Sequence, residues 1–141
     1  MDVLLVVRDA LASALIGSTL TARAARDAGR DVAMLVTGEA LAALAGGSFG
    51  WPRELAGQAK RLALADRGKA LGLPLTAKGE ARALDPRALL AESLSAGVVA
   101  YACPIWSELL GITAPPAGLT ALDRAGLTRL LAETGKVVGS L

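Results

Sequence analysis

The sequence predicts an α/β domain in which a five-stranded parallel sheet is flanked by helices on both faces. Three observations predict it. The chain opens on a run that is apolar at every position, Val3–Val7, and short apolar runs return at about 31–37, 98–102, 119–122 and 136–139. Runs without alternation mark strands buried on both faces, as in parallel sheets. The intervening segments carry helix signals and end at glycines, which gives the β-α order of helix-covered parallel strands. Finally, 141 residues make one domain, 1–141, with enough chain for a real core.

Each element follows from local chemistry. After the first strand, Asp9 is positioned to cap a helix over about 10–28, with Leu11, Leu15 and Ala22 on one face and Gly29 just past its end. The second strand, 31–37, leads into a short helix, 39–45, stopped by Gly46 and Gly47. The rhythm then breaks over 48–79, a basic helical insertion. Pro52 suits a first helical turn, and a helix over 53–71 puts Leu55, Ala59, Leu62 and Ala63 on one face. Gly72, Pro74 and Gly79 mark a loop. Asp85-Pro86 is a strong helix start, with Gly97 after the end. The third strand, 98–102, runs into Cys103-Pro104, which opens a short helix closed by Gly111. Ala114-Pro115-Pro116 is a rigid joint before the fourth strand, 119–122. Asp123 caps a helix that Gly135 stops, and 136–139 is the fifth strand.

Composition excludes several classes of function. The chain has no His, no Asn and one Cys, so a Ser-His-Asp or Cys-His machine, an internal disulfide and a His- or thiolate-built metal site within one chain are out. No metal and no cofactor are expected. No stretch in the first third reaches the length of a membrane span, and Asp2, Arg8 and Asp9 are wrong for a signal peptide, so a cytoplasmic protein with no membrane partner is the expectation. A net charge of +2 and four aromatic residues give no base-stacking platform, and no nucleic-acid partner is expected. Gly46-Gly47 is not followed by Lys-Ser/Thr, and no Gly-x-Gly-x-x-Gly follows the first strand, so neither phosphate-loop pattern is present. Ala (30) and Leu (26) dominate the chain and the mean hydropathy is +0.49; so apolar a small domain is expected to bury surface between subunits.

Open parallel sheets hold their sites outside the carboxyl ends of the strands, and Cys103 falls there. At a helix N-terminus a thiolate, or a persulfide anion, is stabilised by free N–H groups and the helix dipole. The competing expectation is a small buried hydrophobe. With no second Cys, a sulfur atom taken up here has to pass to another molecule. Candidate anion- or partner-binding cations are Arg8, after the first strand, and Lys60 and Arg61, in a segment (53–87) with eight basic and four acidic residues. A solvated charged helix face is the plainer account of that segment. Trp51 and Trp106 are candidate pocket walls; Trp106 lies one turn beyond Cys103, where the two can share a helical face. Core packing or a subunit interface explains the two tryptophans as well.

The stretch from Ala100 to Ile112, AYACPIWSELLGI, resembles the cysteine segment of the DsrE/DsrF-like family, which includes sulfur-relay proteins. In that pattern an apolar strand leads to a Cys, and a short helix ends in Gly before an aliphatic residue. The opening strand with its small-residue helix and the following Gly29–Leu35 are similar to the family's first β-α-β unit. So is the ending, a capped helix before Lys136-Val137-Val138. The resemblance covers most of the chain except about 48–79, and Pro104 and the basic insertion depart from the pattern. It implies a five-stranded parallel sheet, assembly into trimers or hexamers, and a cysteine, here Cys103, that carries a sulfane sulfur between donor and acceptor proteins, a sulfurtransferase-like role. The alternative is a non-catalytic oligomeric binding protein in which Cys103 is inert and the basic segment holds an anionic ligand or acidic protein. A thiol peroxidase fits less well, with no resolving Cys and no Thr-x-x-Cys site.

Overall fold

A computed structural model of the protein describes residues 1–76 and 83–139. Five strands form one parallel sheet: β1 (Val3–Val7), β2 (Val32–Val36), β3 (Val99–Ala102), β4 (Thr120–Ala121) and β5 (Lys136–Val138), in the order β4-β3-β2-β1-β5. The helices are α1 (Ala12–Asp27), α2 (Gly38–Ala45), α3 (Gln58–Ala70), α4 (Pro86–Ser95), α5 (Pro104–Leu109) and α6 (Arg124–Glu133). The predicted fold class is therefore the observed one. Strand β2 lies at the centre and every one of its residues is buried. That is why its sequence is apolar without alternation.

The pleat divides the core in two. Leu5 and Val7 of β1, Met34 and Val36 of β2, and Ala100 and Ala102 of β3 point to one face, against Leu15 and Ala22 of α1, Leu41 of α2 and Leu90 of α4. Leu4, Ala33, Leu35 and Cys103 form a smaller cluster on the other face, under Leu127 and Leu130 of α6. From β1 to β4 the chain steps across the sheet in one direction. It then returns to add β5 on the far side of β1, where Leu4 pairs with Val137. Among the described helices, this last crossover, α6, is the one that packs on the second cluster.

The caps agree with the sequence at two helices and differ at a third. Asp85 accepts from the Ala88 amide at 3.0 Å and Asp123 from the Gly126 amide at 2.6 Å. Asp9 is not a cap: α1 starts at Ala12 after Leu11, with no side-chain cap, and Asp9 lies 3.7 Å from the Arg8 guanidinium. The chain instead ties that helix start to a distant segment, for Leu11 bridges Gly50 and the Ala12 amide donates to the Gly50 carbonyl at 2.8 Å. A tertiary contact has taken the cap's place. Gly29, at φ 77°, closes α1 with its amide on the Arg26 carbonyl and the Arg30 amide on the Ala25 carbonyl, a turn that requires the left-handed region.

The insertion differs most from expectation. The predicted helix over 53–71 is broken: one 3-10 turn, Arg53–Leu55, precedes α3, and extended Gly57 separates them. The buried face of α3 is Ala65 and Gly68, whereas Ala59 and Ala63 are exposed. Gly68 is packed so closely that a Cβ there would collide with the Leu75 side chain. Packing against the loop at Leu75, rather than the apolar spacing along the helix, sets that face. The Gly79 turn and the basic residues Lys78 and Arg82 lie outside the described residues.

Arg87, one of the basic residues of this region, is structural. Its guanidinium donates to the carbonyls of Leu44 (3.1 Å), Gly47 (2.6 Å) and Ala43 and stacks 5.6 Å from the Phe49 ring centroid. It fastens the start of α4 to the last turn of α2, where unpaired carbonyls favour a cation. Two outcomes are expected in urea denaturation. Asp85→Ala and Asp123→Ala each cost about 1 kcal/mol, while Asp9→Ala stays within about 0.5 kcal/mol. Arg87→Ala costs at least about 1 kcal/mol, and Arg87→Lys recovers only part of it, because a point charge cannot reproduce the fork.

Candidate functional site

The chain's reversal after β4 creates a crevice at the carboxyl edge of the sheet. The connection leaving β3 carries Ile112 and Leu119 to the larger cluster. The connection leaving the neighbouring β4 carries Leu122, Leu127 and Leu130 to the opposite one. Adjacent strands whose connections diverge leave a gap between them, the usual position of a site in open α/β sheets. An open cleft of about 420 Å3 occupies that gap, between α5 and the first turn of α6. Ala102 and Pro104, the two chain neighbours of Cys103, line it, together with Ser107, Glu108, Thr113, Leu122, Asp123 and Arg124.

Cys103 itself holds the N-cap position of α5, with its amide on the Val36 carbonyl at 2.9 Å and its carbonyl accepting from the Ser107 amide at 2.9 Å. Its side chain makes no cap hydrogen bond and is 5% exposed, packed with Leu4, Ala33 and Leu35. Strand alternation explains this. Ala102 points to the larger cluster, so Cys103 points to the other. The expected cradle of helix N–H groups around the sulfur is therefore not formed, and α5 has only six residues. Leu122 belongs both to the cleft wall and to the cluster around Cys103.

Three charged residues line the cleft, Glu108, Asp123 and Arg124; Glu108 and Arg124 form an ion pair across it, with side chains 57% and 74% exposed. The hydrogen bond from Arg124 to Glu108, with the attraction of its carboxylate, raises the Arg124 pKa above its ordinary value. Asp123, also in the cleft wall, is occupied in capping α6.

The other predicted site residues are not gathered here. Arg8 lies just after β1, Lys60 is exposed on α3, and Arg61 lines a separate shallow pocket with Leu62 and Leu84. None of the three lines the cleft beside Cys103. Trp51 lines a separate small hollow of about 230 Å3 with Phe49 and Arg87. Trp106 points outward, 40% exposed, so it does not share a face with Cys103. With Ile105, Leu109 and Leu110, also exposed, it forms a continuous stripe, since i, i+1, i+4 and i+5 fall on one side of a helix. Sequence reasoning missed Glu108 and Arg124. Glu108 stands one helical turn after Pro104, on the helix that Cys103 opens, and that proximity was the signal present. Its pairing with a residue sixteen positions further on is not readable from spacing.

Among the described residues no group of three metal-ligating side chains comes together, and no helix is long and apolar enough to cross a membrane. No protein-family model matches the chain, and no curated protein matches it in sequence. The class to which the chain is assigned is therefore that of its fold, a single α/β domain with an all-parallel five-stranded sheet.

The buried setting of Cys103 has a measurable consequence. Cys103→Ser is expected to cost about 1–3 kcal/mol in urea denaturation, because it leaves a hydroxyl in an apolar cluster, and Cys103→Ala to cost less.

Proposed function

We propose that this protein is a cytoplasmic sulfur carrier of the DsrE/DsrF-like kind, holding a sulfane sulfur as a persulfide on Cys103 and passing it to a partner thiol. The observation that carries this reading is the position of the lone cysteine: the end of β3, flanked by two residues that line the cleft where the strand connections diverge. In loading, the Cys103 thiolate attacks the outer sulfur of a donor persulfide. A bond forms between Sγ and that sulfur, the donor's S–S bond breaks, and the donor leaves as a thiolate. Unloading is the same exchange with an acceptor thiolate as nucleophile, so no outside oxidant or reductant is consumed. Burial of the thiol protects the persulfide from adventitious thiols and makes loading depend on an opening beside Leu122.

The burial also favours a second reading, a non-catalytic binding protein in which Cys103 is a packing residue. Intact mass separates the two. A sulfane-sulfur donor is expected to add one sulfur to the native protein, reversed by reductant and absent in Cys103→Ala. A thiol modified only after denaturation, with no sulfur gain, would overturn the carrier reading.

The carrier acts as a homo-oligomer. The outward stripe Ile105, Trp106, Leu109 and Leu110 supports this, because contiguous exposed apolar side chains mark an interaction surface. Sedimentation at micromolar concentration is expected to show an assembly that Leu109→Glu dissociates; a clean monomer for the natural chain would contradict it.

A further inference from the structure

We propose that the cleft between β3 and β4 binds a small zwitterion of the α-amino-acid type, and that the donor loading Cys103 is a low-molecular-weight persulfide with that head group. The second half rests on the carrier reading above; the first does not.

The lining offers one guanidinium and two carboxylates: Arg124 and Asp123 at the start of α6, and Glu108 on α5, which pairs with Arg124. A lone charge would select a simple ion. Neighbouring opposite charges select a ligand that carries both, its carboxylate on the Arg124 fork and its ammonium on Glu108. The third charged group in the wall does not disturb this pairing, because the Asp123 carboxylate is held by the Gly126 amide at 2.6 Å. Exchange of partners is inexpensive: with both side chains more than half exposed, the Glu108–Arg124 pair stabilises the free protein little. The hydroxyls of Ser107 and Thr113 add donors and acceptors, and Ala102, Pro104 and Leu122 give an apolar wall for the ligand's side chain. The cleft volume of about 420 Å3 admits a molecule of this size.

Cys103 does not itself line the cleft, but residues around it do. Cys103 is bracketed by Ala102 and Pro104, and Leu122 is shared between the cleft wall and the cluster holding the thiol. A cysteine hydropersulfide seated by its head group presents its terminal sulfur on the Leu122 side. The Cys103 thiolate takes that sulfur, and free cysteine leaves as the thiolate.

Two measurements test this on the full chain. The first is binding of S-methylcysteine, a zwitterion with no transferable sulfur, followed by amide NMR shifts. Saturable shifts at Ser107, Glu108 and Arg124 are expected, weakened about tenfold or more in Glu108→Gln and in Arg124→Gln. The second is the rate of Cys103 loading from cysteine hydropersulfide against inorganic polysulfide. The zwitterionic donor is expected to load faster by about tenfold, an advantage over polysulfide that is lost in both variants. Leu122→Ala is expected to speed loading from both donors. No saturable S-methylcysteine binding would overturn the zwitterion site even if polysulfide loads Cys103 normally. Binding without loading from either donor would leave the site standing and overturn the carrier reading and the donor assignment with it.

Discussion

The candidate site depends on the point where the chain stops stepping across the sheet in one direction and turns back. From β1 to β4 each strand adds beside the last; β5 then pairs with β1 on the far side. The crossover that makes this return, α6, has to pass over the face that the earlier helices left open. Its Leu127 and Leu130 cover Leu4, Ala33, Leu35 and Cys103 there. The same return pulls the connections of β3 and β4 apart and opens the cleft at their carboxyl ends. The buried cysteine, the cleft beside it and the ion pair across it are consequences of one topological step.

That step also explains why the thiol is enclosed rather than presented. The residue after β3 continues the strand's alternation, so Cys103 turns to the α6 face while Ala102 turns to the other. A sulfur in this position packs with Leu122 and the α6 face, and makes no cap hydrogen bond to the helix N-terminus that the Cys-Pro sequence implied. Protection and controlled access are useful to a carrier of a labile sulfur. The same burial in an inert core residue would have no such use, which is why the reactivity of the native thiol decides between the two readings.

The basic segment separates into parts with different work. Arg87 is committed to the carbonyls at the end of α2 and to Phe49, a structural clamp between two helices. Lys60 is exposed on α3 and Arg61 lines a shallow pocket away from Cys103. Among the described residues of the segment, none lines the cleft beside Cys103. The cation that does reach the cleft, Arg124, comes from a helix that composition gave no reason to single out.

The sequence by itself determined the strands, the burial of a run apolar at every residue, the Asp85 and Asp123 caps and the Gly29 stop. These are local: alternation, side-chain capping and left-handed backbone depend on a few neighbouring residues. Local signals also put Cys103 at a strand end. Tertiary structure decided the rest. The bridge from Leu11 to Gly50 displaced Asp9 as a cap, and packing of Gly68 on Leu75 chose the buried face of α3. The return of α6 decided what covers Cys103 and brought Arg124 to Glu108, sixteen residues earlier in the chain. Contacts of that kind depend on where each strand is added in the sheet. Spacing along the chain does not encode them, because the same elements joined in another order would bring other residues together.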